Sequence, residues 1–120
     1  MTSTNKTLEQ RVEAAAKRYL ELKDFIVKEE IEREGGNVII AQDDSGFLVL
    51  AKVAASEDEF PPAIFDRDEF EDLASAWLTE HSDELDECLN VRGDSISIRV
   101  LSDTRALLRH TTNITAPTWA

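Results

Sequence analysis

Apolar positions near the start of the chain recur with the period of a helix. They fall at i, i+4, i+7, i+8 and i+11, which places them on one helical face. These positions are Leu8, Val12, Ala15, Ala16 and Tyr19. Thr7 and Gln10 have the spacing of a capping box, which satisfies exposed backbone N–H groups at a helix start. The pattern predicts a first helix that begins at Thr7 and ends near Lys23.

The pattern then changes to that of β-structure. Residues 25–33 alternate weakly, with Phe25, Val27 and Ile31 on one side, which predicts a strand at a sheet edge. After a turn at Gly35-Gly36, two apolar runs at 37–42 and 47–54 flank Asp43-Asp44-Ser45-Gly46, as expected for a β-hairpin. Both runs are almost entirely apolar, so we expect both faces of this hairpin to be covered.

A second helix and two further strands complete the pattern. Asp66 followed by Glu69 has the arrangement of a helix N-cap. The apolar positions that follow have helical spacing, and we expect them to pack on the sheet: Phe70, Leu73, Ala74, Trp77 and Leu78. Residues 82–89 are expected to form a helical turn or loop, and residues 96–100 and 106–110 to form strands. The crossover from Val53 to Val91 is long enough to return the chain parallel, which predicts a mixed α/β sheet with flanking helices.

Composition indicates a single globular domain. The chain has 120 residues, of which 42% are hydrophobic and 32% charged. The sequence has no signal-peptide profile and no apolar run long enough to span a membrane, so we expect a cytoplasmic protein. Cys88 is the single cysteine. It cannot form an internal disulfide or a thiolate metal site, and we expect a small buried hydrophobic residue.

The formal net charge of −12 is concentrated in one segment. Residues 57–87 hold thirteen acidic residues and one base, Arg67. Duplex DNA binding requires Lys and Arg to displace phosphate counterions, so we expect it to be weak or absent. The segment is interpreted either as a solvated surface or as a surface that binds a basic protein.

Several sequence blocks resemble, in order, the YraN-like predicted nucleases, which are distant relatives of archaeal Holliday junction resolvases in the PD-(D/E)XK superfamily. Glu13 precedes a small-residue run and Tyr19-Leu20 in a way that resembles the first helix of that family. Residues 35–41 resemble its Gly-Glu-Ile-Asp-Leu-Ile-Ala, and residues 50–53 fall on its Val-Glu-Val-Lys. Residues 74–78, 91–94 and 108–113 are similar to its Ala-x-x-Tyr-Leu, Val-Arg-Phe-Asp and His-x-x-Asn blocks.

The resemblance covers residues 8–115 and implies a restriction-endonuclease-like fold with about five strands. The expected domain is residues 7–115, and residues 1–6 and 116–120 are expected to be flexible termini. In the family, an Asp and a Glu bind a divalent cation, and a Lys two residues after the Glu helps to position the attacking water. Those positions here are Val38, Ala51 and Val53, and only Glu13 remains of the family's acidic residues. We therefore expect no metal, no cofactor and no nuclease activity.

Other interpretations remain open. A one-residue shift of the alignment would place Lys52 at the position of the family's Lys. Its side chain would then point to the opposite face of the strand, because side chains alternate. Glu13 is either a remnant ligand or the partner of Lys17 in a salt pair. Asp43-Asp44 is expected to stabilise its turn, and His81 and His110 to be structural. The tripeptide at residues 92–94 matches an adhesion motif, which we interpret as coincidence.

Two functional hypotheses follow, from different classes. The first is a catalytically inactive nuclease-fold protein that acts as a binding or regulatory module. The second is an acidic interaction module that binds a basic protein and mimics nucleic acid. A third hypothesis, an enzyme whose site the sequence does not reveal, has no residue pattern in its favour.

Overall fold

The computed structural model describes residues 8–33, 36–62, 64–81 and 90–114. The elements in chain order are α1 (Leu8–Leu22), β1 (Ile26–Ile31), β2 (Val38–Gln42), β3 (Leu48–Ser56), α2 (Arg67–Glu80), β4 (Val91–Val100) and β5 (Ala106–Thr111). The strands form one five-stranded sheet in the order β1-β2-β3-β4-β5. Strands β3 and β4 are parallel and all other neighbours are antiparallel. The structure confirms the expected α/β fold with a mixed five-stranded sheet and flanking helices.

Each helix covers a different face of the sheet. The α2 face contains buried residues of β2 and β3 together with the apolar side of α2; the members are Val38, Ile40, Leu48, Leu50, Phe65, Phe70, Leu73, Ala74 and Trp77. The α1 face contains residues of β2, β3 and β4 with the apolar side of α1; the members are Ala16, Leu20, Ile39, Ala51, Val53, Ile96 and Ile98. Burying one large aliphatic or aromatic side chain contributes roughly 1.5–3 kcal/mol, so these two layers hold the sheet together.

The central hairpin has the expected form. Strands β2 and β3 pair antiparallel, and their buried residues contribute to both layers. Gly46 has φ of +90°, a backbone conformation that glycine adopts without strain. The Asp43 carboxylate accepts hydrogen bonds from the N–H groups of Ser45 and Phe47, at 2.9 and 2.8 Å. The prediction that Asp43 stabilises this turn is confirmed.

Strand β1 lies at the sheet edge, as expected, but its side chains do not all share one face. The pairing register with β2 shifts between Val27 and Glu29, because a β-bulge interrupts the ladder there. Phe25 and Val27 pack on the α1 face, whereas Ile31 packs on the α2 face. The prediction of one common side for these three residues is therefore wrong.

The helices differ slightly from their predicted faces. In α1, Ala16 and Leu20 are fully buried, whereas Ala15 is exposed and Leu8 is 40% exposed. In α2, the Asp66 side chain caps the helix by accepting from the Glu69 N–H, and Trp77 is buried as predicted. Neither described helix combines the length and the apolar character needed to cross a membrane. Residues 1–6, Gly35, residues 82–89 with Cys88, and residues 116–120 lie outside the described part of the chain.

Candidate functional site

The register of the central hairpin assigns each of its residues to one face. Val38 lies opposite Lys52, and Ile39 lies opposite Ala51. Cross-strand partners in an antiparallel pair point to the same side of the sheet, and successive residues point to opposite sides. Val38 and Lys52 therefore share the α2 face, and Ala51 lies on the α1 face with Val53.

The resemblance to the nuclease family implies that Val38, Ala51 and Val53 converge, as the family's Asp, Glu and Lys do. The structure corrects this expectation. Val38 packs beneath α2, while Ala51 and Val53 pack beneath α1, so a layer of backbone separates them. A one-residue difference in register reverses the face of a strand residue. On β3, Leu50 and Lys52 share a face with Val38. This corresponds to the alignment shifted by one residue, in which Lys52 replaces Val53.

Lys52 is held in place on the α2 face. Its Nζ lies 2.7 Å from Oε1 of Glu69, which is in the first turn of α2. The other oxygen of Glu69 accepts from Nε of Arg33 at 3.2 Å. The ammonium also lies 5.5 Å from the centre of the Phe65 ring. Through these contacts, Lys52 joins strand β3 to helix α2.

Glu13 has different neighbours from those expected. Its carboxyl accepts a hydrogen bond from Nδ2 of Asn37 and is in hydrogen-bond contact with the carboxyl of Glu30. Lys17 Nζ lies 2.5 Å from Oε1 of Glu30. The predicted salt pair of Glu13 with Lys17 is therefore wrong, because strand β1 places Glu30 beside Lys17.

The carboxyl groups of Glu13 and Glu30 shift each other's pKa in opposite directions. The contact with Glu30 raises the pKa of Glu13, and burial and like charge act in the same direction. Burial acts to raise the pKa of Glu30, but hydrogen bonds from Glu13 and Lys17 outweigh it and lower that pKa. Among the described residues, the buried Oε2 of Glu30 has no hydrogen-bond partner.

A cleft of about 750 Å³ opens beside Glu13. It lies between the start of α1, the end of β1, the start of β2 and the end of β3. The lining residues are Leu8, Val12, Glu13, Glu32, Arg33, Gly36, Asn37, Val53, Ala54 and Ala55. Asn37 is fixed in orientation, since its Oδ1 accepts from the Arg33 N–H at 3.0 Å while its Nδ2 donates to Glu13. The cleft thus combines aliphatic walls with two carboxyl groups, one guanidinium group and one amide.

A second polar cluster lies on the α1 face near β5. The Asp94 carboxylate is fully buried and accepts from Nε of Arg92 at 3.0 Å and from the Asn113 N–H at 2.8 Å. Its other oxygen lies 2.8 Å from Nε2 of His110. The Nδ1 of His110 is 2.9 Å from the Tyr19 hydroxyl. The cluster therefore links helix α1 to strands β4 and β5.

The Asp94 cluster also reaches the hairpin turn. Nη1 of Arg92 lies 3.0 Å from Oδ2 of Asp43. Burial acts to raise the pKa of Asp94, but hydrogen bonds from His110, Arg92 and the Asn113 backbone outweigh it and lower that pKa. The two clefts described for this protein are lined by other residues. We interpret the cluster as structural, and a structural role of His110 stays a prediction.

The sequence did not reveal this cluster as a unit. Tyr19 and His110 are 91 positions apart, and Asp94 and His110 are 16 positions apart. The Arg-x-Asp and His-x-x-Asn spacings were visible as separate blocks, but no periodicity connects one block to the other.

In the part of the chain that the structure describes, no three acidic, histidine or cysteine side chains are arranged to hold a metal ion. Comparison with protein-family models and with curated proteins finds no match.

The Glu13→Gln substitution is expected to stabilise the protein at neutral pH. A glutamine amide would donate permanently to Glu30, as a protonated Glu13 does. The pKa of Glu13 is raised above its ordinary value of 4.5, so the stabilisation from protonated Glu13 is present below that pH and is lost as pH rises. We expect a gain of about 1 kcal/mol near neutral pH and little gain near pH 4, measured by urea unfolding. The exposed Glu71→Gln change is the control, and a gain independent of pH would contradict the assignment.

The Asp94→Asn substitution is expected to destabilise the protein by about 2–3 kcal/mol, because it removes the charge that Arg92 contacts in a buried position. The pKa of Asp94 is lowered from its ordinary value of 3.8, so its stabilisation is present above that pH and is lost as pH falls below it. The difference from the parent should therefore shrink in acid. Asp103→Asn, at an exposed pair, should cost less than about 0.5 kcal/mol in the same unfolding measurements. Equal costs for the two variants would show that the cluster contributes nothing specific.

Proposed function

We propose that this chain is a nuclease-fold protein that does not cut nucleic acids and acts as a binding or regulatory module. The proposal joins the resemblance to the YraN-like nucleases with the chemistry of the central hairpin. A nuclease site of that type requires an Asp and a Glu on neighbouring strands, because Mg²⁺ prefers oxygen ligands in near-octahedral geometry.

One observation carries the proposal: strands β2 and β3 present no acidic residue on either face. On the α2 face, Val38 and Leu50 accompany Lys52, and both are fully buried. On the α1 face, Ile39 and Ala51 occupy the matching positions and are also fully buried. Either choice of register therefore leaves an aliphatic layer where metal ligands would be required.

We expect no hydrolysis of supercoiled DNA, branched DNA or RNA in the presence of Mg²⁺ or Mn²⁺, because no pair of hairpin carboxylates is available to bind the ion. The measurement is a nicking and cleavage assay with the purified chain. Lys52→Ala and Glu13→Ala serve as the test variants. Cleavage by the parent that either variant abolishes would overturn the proposal.

The acidic helix supports a second candidate function, the binding of a basic protein. The exposed carboxylates on α2 and the segment before it define an acidic surface; they are Glu57, Asp58, Glu59, Asp66, Asp68, Glu71, Asp72 and Glu80. Arg67 is the one base among residues 57–80. Ile64 is 71% exposed beside these residues, so an apolar contact is also available. A surface of this kind attracts a basic partner and repels a phosphate backbone.

The acidic surface should bind an oligolysine peptide with an affinity that falls as salt rises, and should not bind a short DNA duplex at about 150 mM salt. Neutralising Asp68, Glu71 and Asp72 as Asn, Gln and Asn should weaken peptide binding about fivefold to tenfold in fluorescence anisotropy.

A matched control variant neutralises the exposed residues Glu21, Asp44 and Asp103, which lie away from the acidic surface. It changes the net charge by the same amount and should weaken peptide binding much less. Equal effects of the two triple variants, or tight binding of the duplex, would exclude the acidic surface as the site.

A further inference from the structure

The Glu13 carboxyl at the cleft has no cationic partner among the described residues. Lys17 is paired with Glu30, and Arg33 is paired with Glu69. Glu13 itself contacts an amide, Asn37, and a second carboxyl, Glu30. Its carboxyl is therefore available to a further donor, and a donor that carries positive charge makes the stronger hydrogen bond.

The walls of the same cleft are aliphatic. Leu8, Val12, Val53 and Ala55 line it, and Leu8 is 40% exposed to solvent at this position. Clefts that bind small molecules combine such apolar walls with a few convergent polar groups. The cleft of about 750 Å³ is large enough to accept an alkyl chain. Glu32, also on the lining, adds a second negative charge.

We propose that this cleft binds an alkylammonium group, with the ammonium against Glu13 and the alkyl chain along Leu8 and Val53. The group belongs either to a small amine or to the lysine side chain of a basic protein. The inference rests on the proposed function of the chain as a binding module. The ammonium supplies charge-assisted donors to Glu13, while the alkyl chain covers the exposed Leu8.

Binding is coupled to ionisation at the cleft. The ammonium requires an ionised Glu13, whose pKa is raised, so the affinity should increase as pH rises through that pKa. The charged groups around this carboxyl are Glu30, Lys17, Glu32 and Arg33. Lys17 does not compete for Glu13, because its ammonium is paired with Glu30. The distance from Nζ of Lys17 to Oε1 of Glu30 is 2.5 Å.

The test is an NMR titration of the full chain with n-butylammonium, followed through the backbone amides of Asn37 and Val53. We expect saturable shifts at those amides with a Kd of about 1 mM. We expect no comparable shifts with n-butanol, which has the same chain without the charge. Glu13→Gln should weaken binding at least tenfold, and Asp44→Asn, at an exposed position in the hairpin turn, should leave it unchanged. The spectra also report whether each variant is folded.

Two further arms separate the contributions. Leu8→Ala, at an exposed position, should weaken binding of n-butylammonium but not of methylammonium. If Nα-acetyl-lysine N-methylamide binds as tightly as n-butylammonium, the natural group is a lysine side chain. If only n-butylammonium binds, the natural group is a small amine. Shifts at the acidic surface instead of the cleft, equal binding of n-butanol, or unchanged binding by Glu13→Gln would overturn the inference. None of these outcomes affects the result of the nuclease assay. Failure of this inference and failure of the proposed function can therefore be distinguished.

Discussion

The antiparallel register of β2 and β3 is the constraint on which the rest of this structure depends. Val38 faces Lys52 across the hairpin, and this one pairing decides the face of every other residue in both strands. With that register, aliphatic side chains fill the layers under α1 and under α2. A slip of one residue would move Lys52 into the α1 layer and separate it from Glu69, so the register is strongly specified by burial on both sides.

The register also determines which residues occupy the hairpin positions where metal-binding carboxylates would be needed. A divalent cation would need two carboxylates on one face, and the fully buried residues Val38 and Leu50 occupy those places beside Lys52. Lys52 has a structural role in this arrangement, because it pairs with Glu69 and thereby orients the start of α2. The polar chemistry that remains near the hairpin lies at its open end, where Glu13 meets Glu30.

Much of the fold could be predicted from the sequence. Apolar spacing identified both helices, the hairpin and the burial of Trp77, because each signal is local. The bulge in β1 could not be predicted, since it depends on pairing with β2 and has no sequence signal of its own. The faces of Val38 and Ala51 were misassigned because aligning two short blocks on a family does not determine the cross-strand register. The cluster of Asp94 and His110 depends on contacts between distant segments, which periodicity does not report.

The most direct test of the account compares two double variants by thermal melting with and without Mn²⁺. Val38→Asp with Leu50→Glu places both carboxylates on the face of Lys52, whereas Val38→Asp with Ala51→Glu places them on opposite faces. Both variants should be several kcal/mol less stable than the parent without metal, since each buries unpaired charge. The account predicts that Mn²⁺ restores stability to the first variant alone, because only a same-face pair binds the ion in the folded state. Equal recovery of both variants, or recovery of neither, would contradict a nuclease frame with this register.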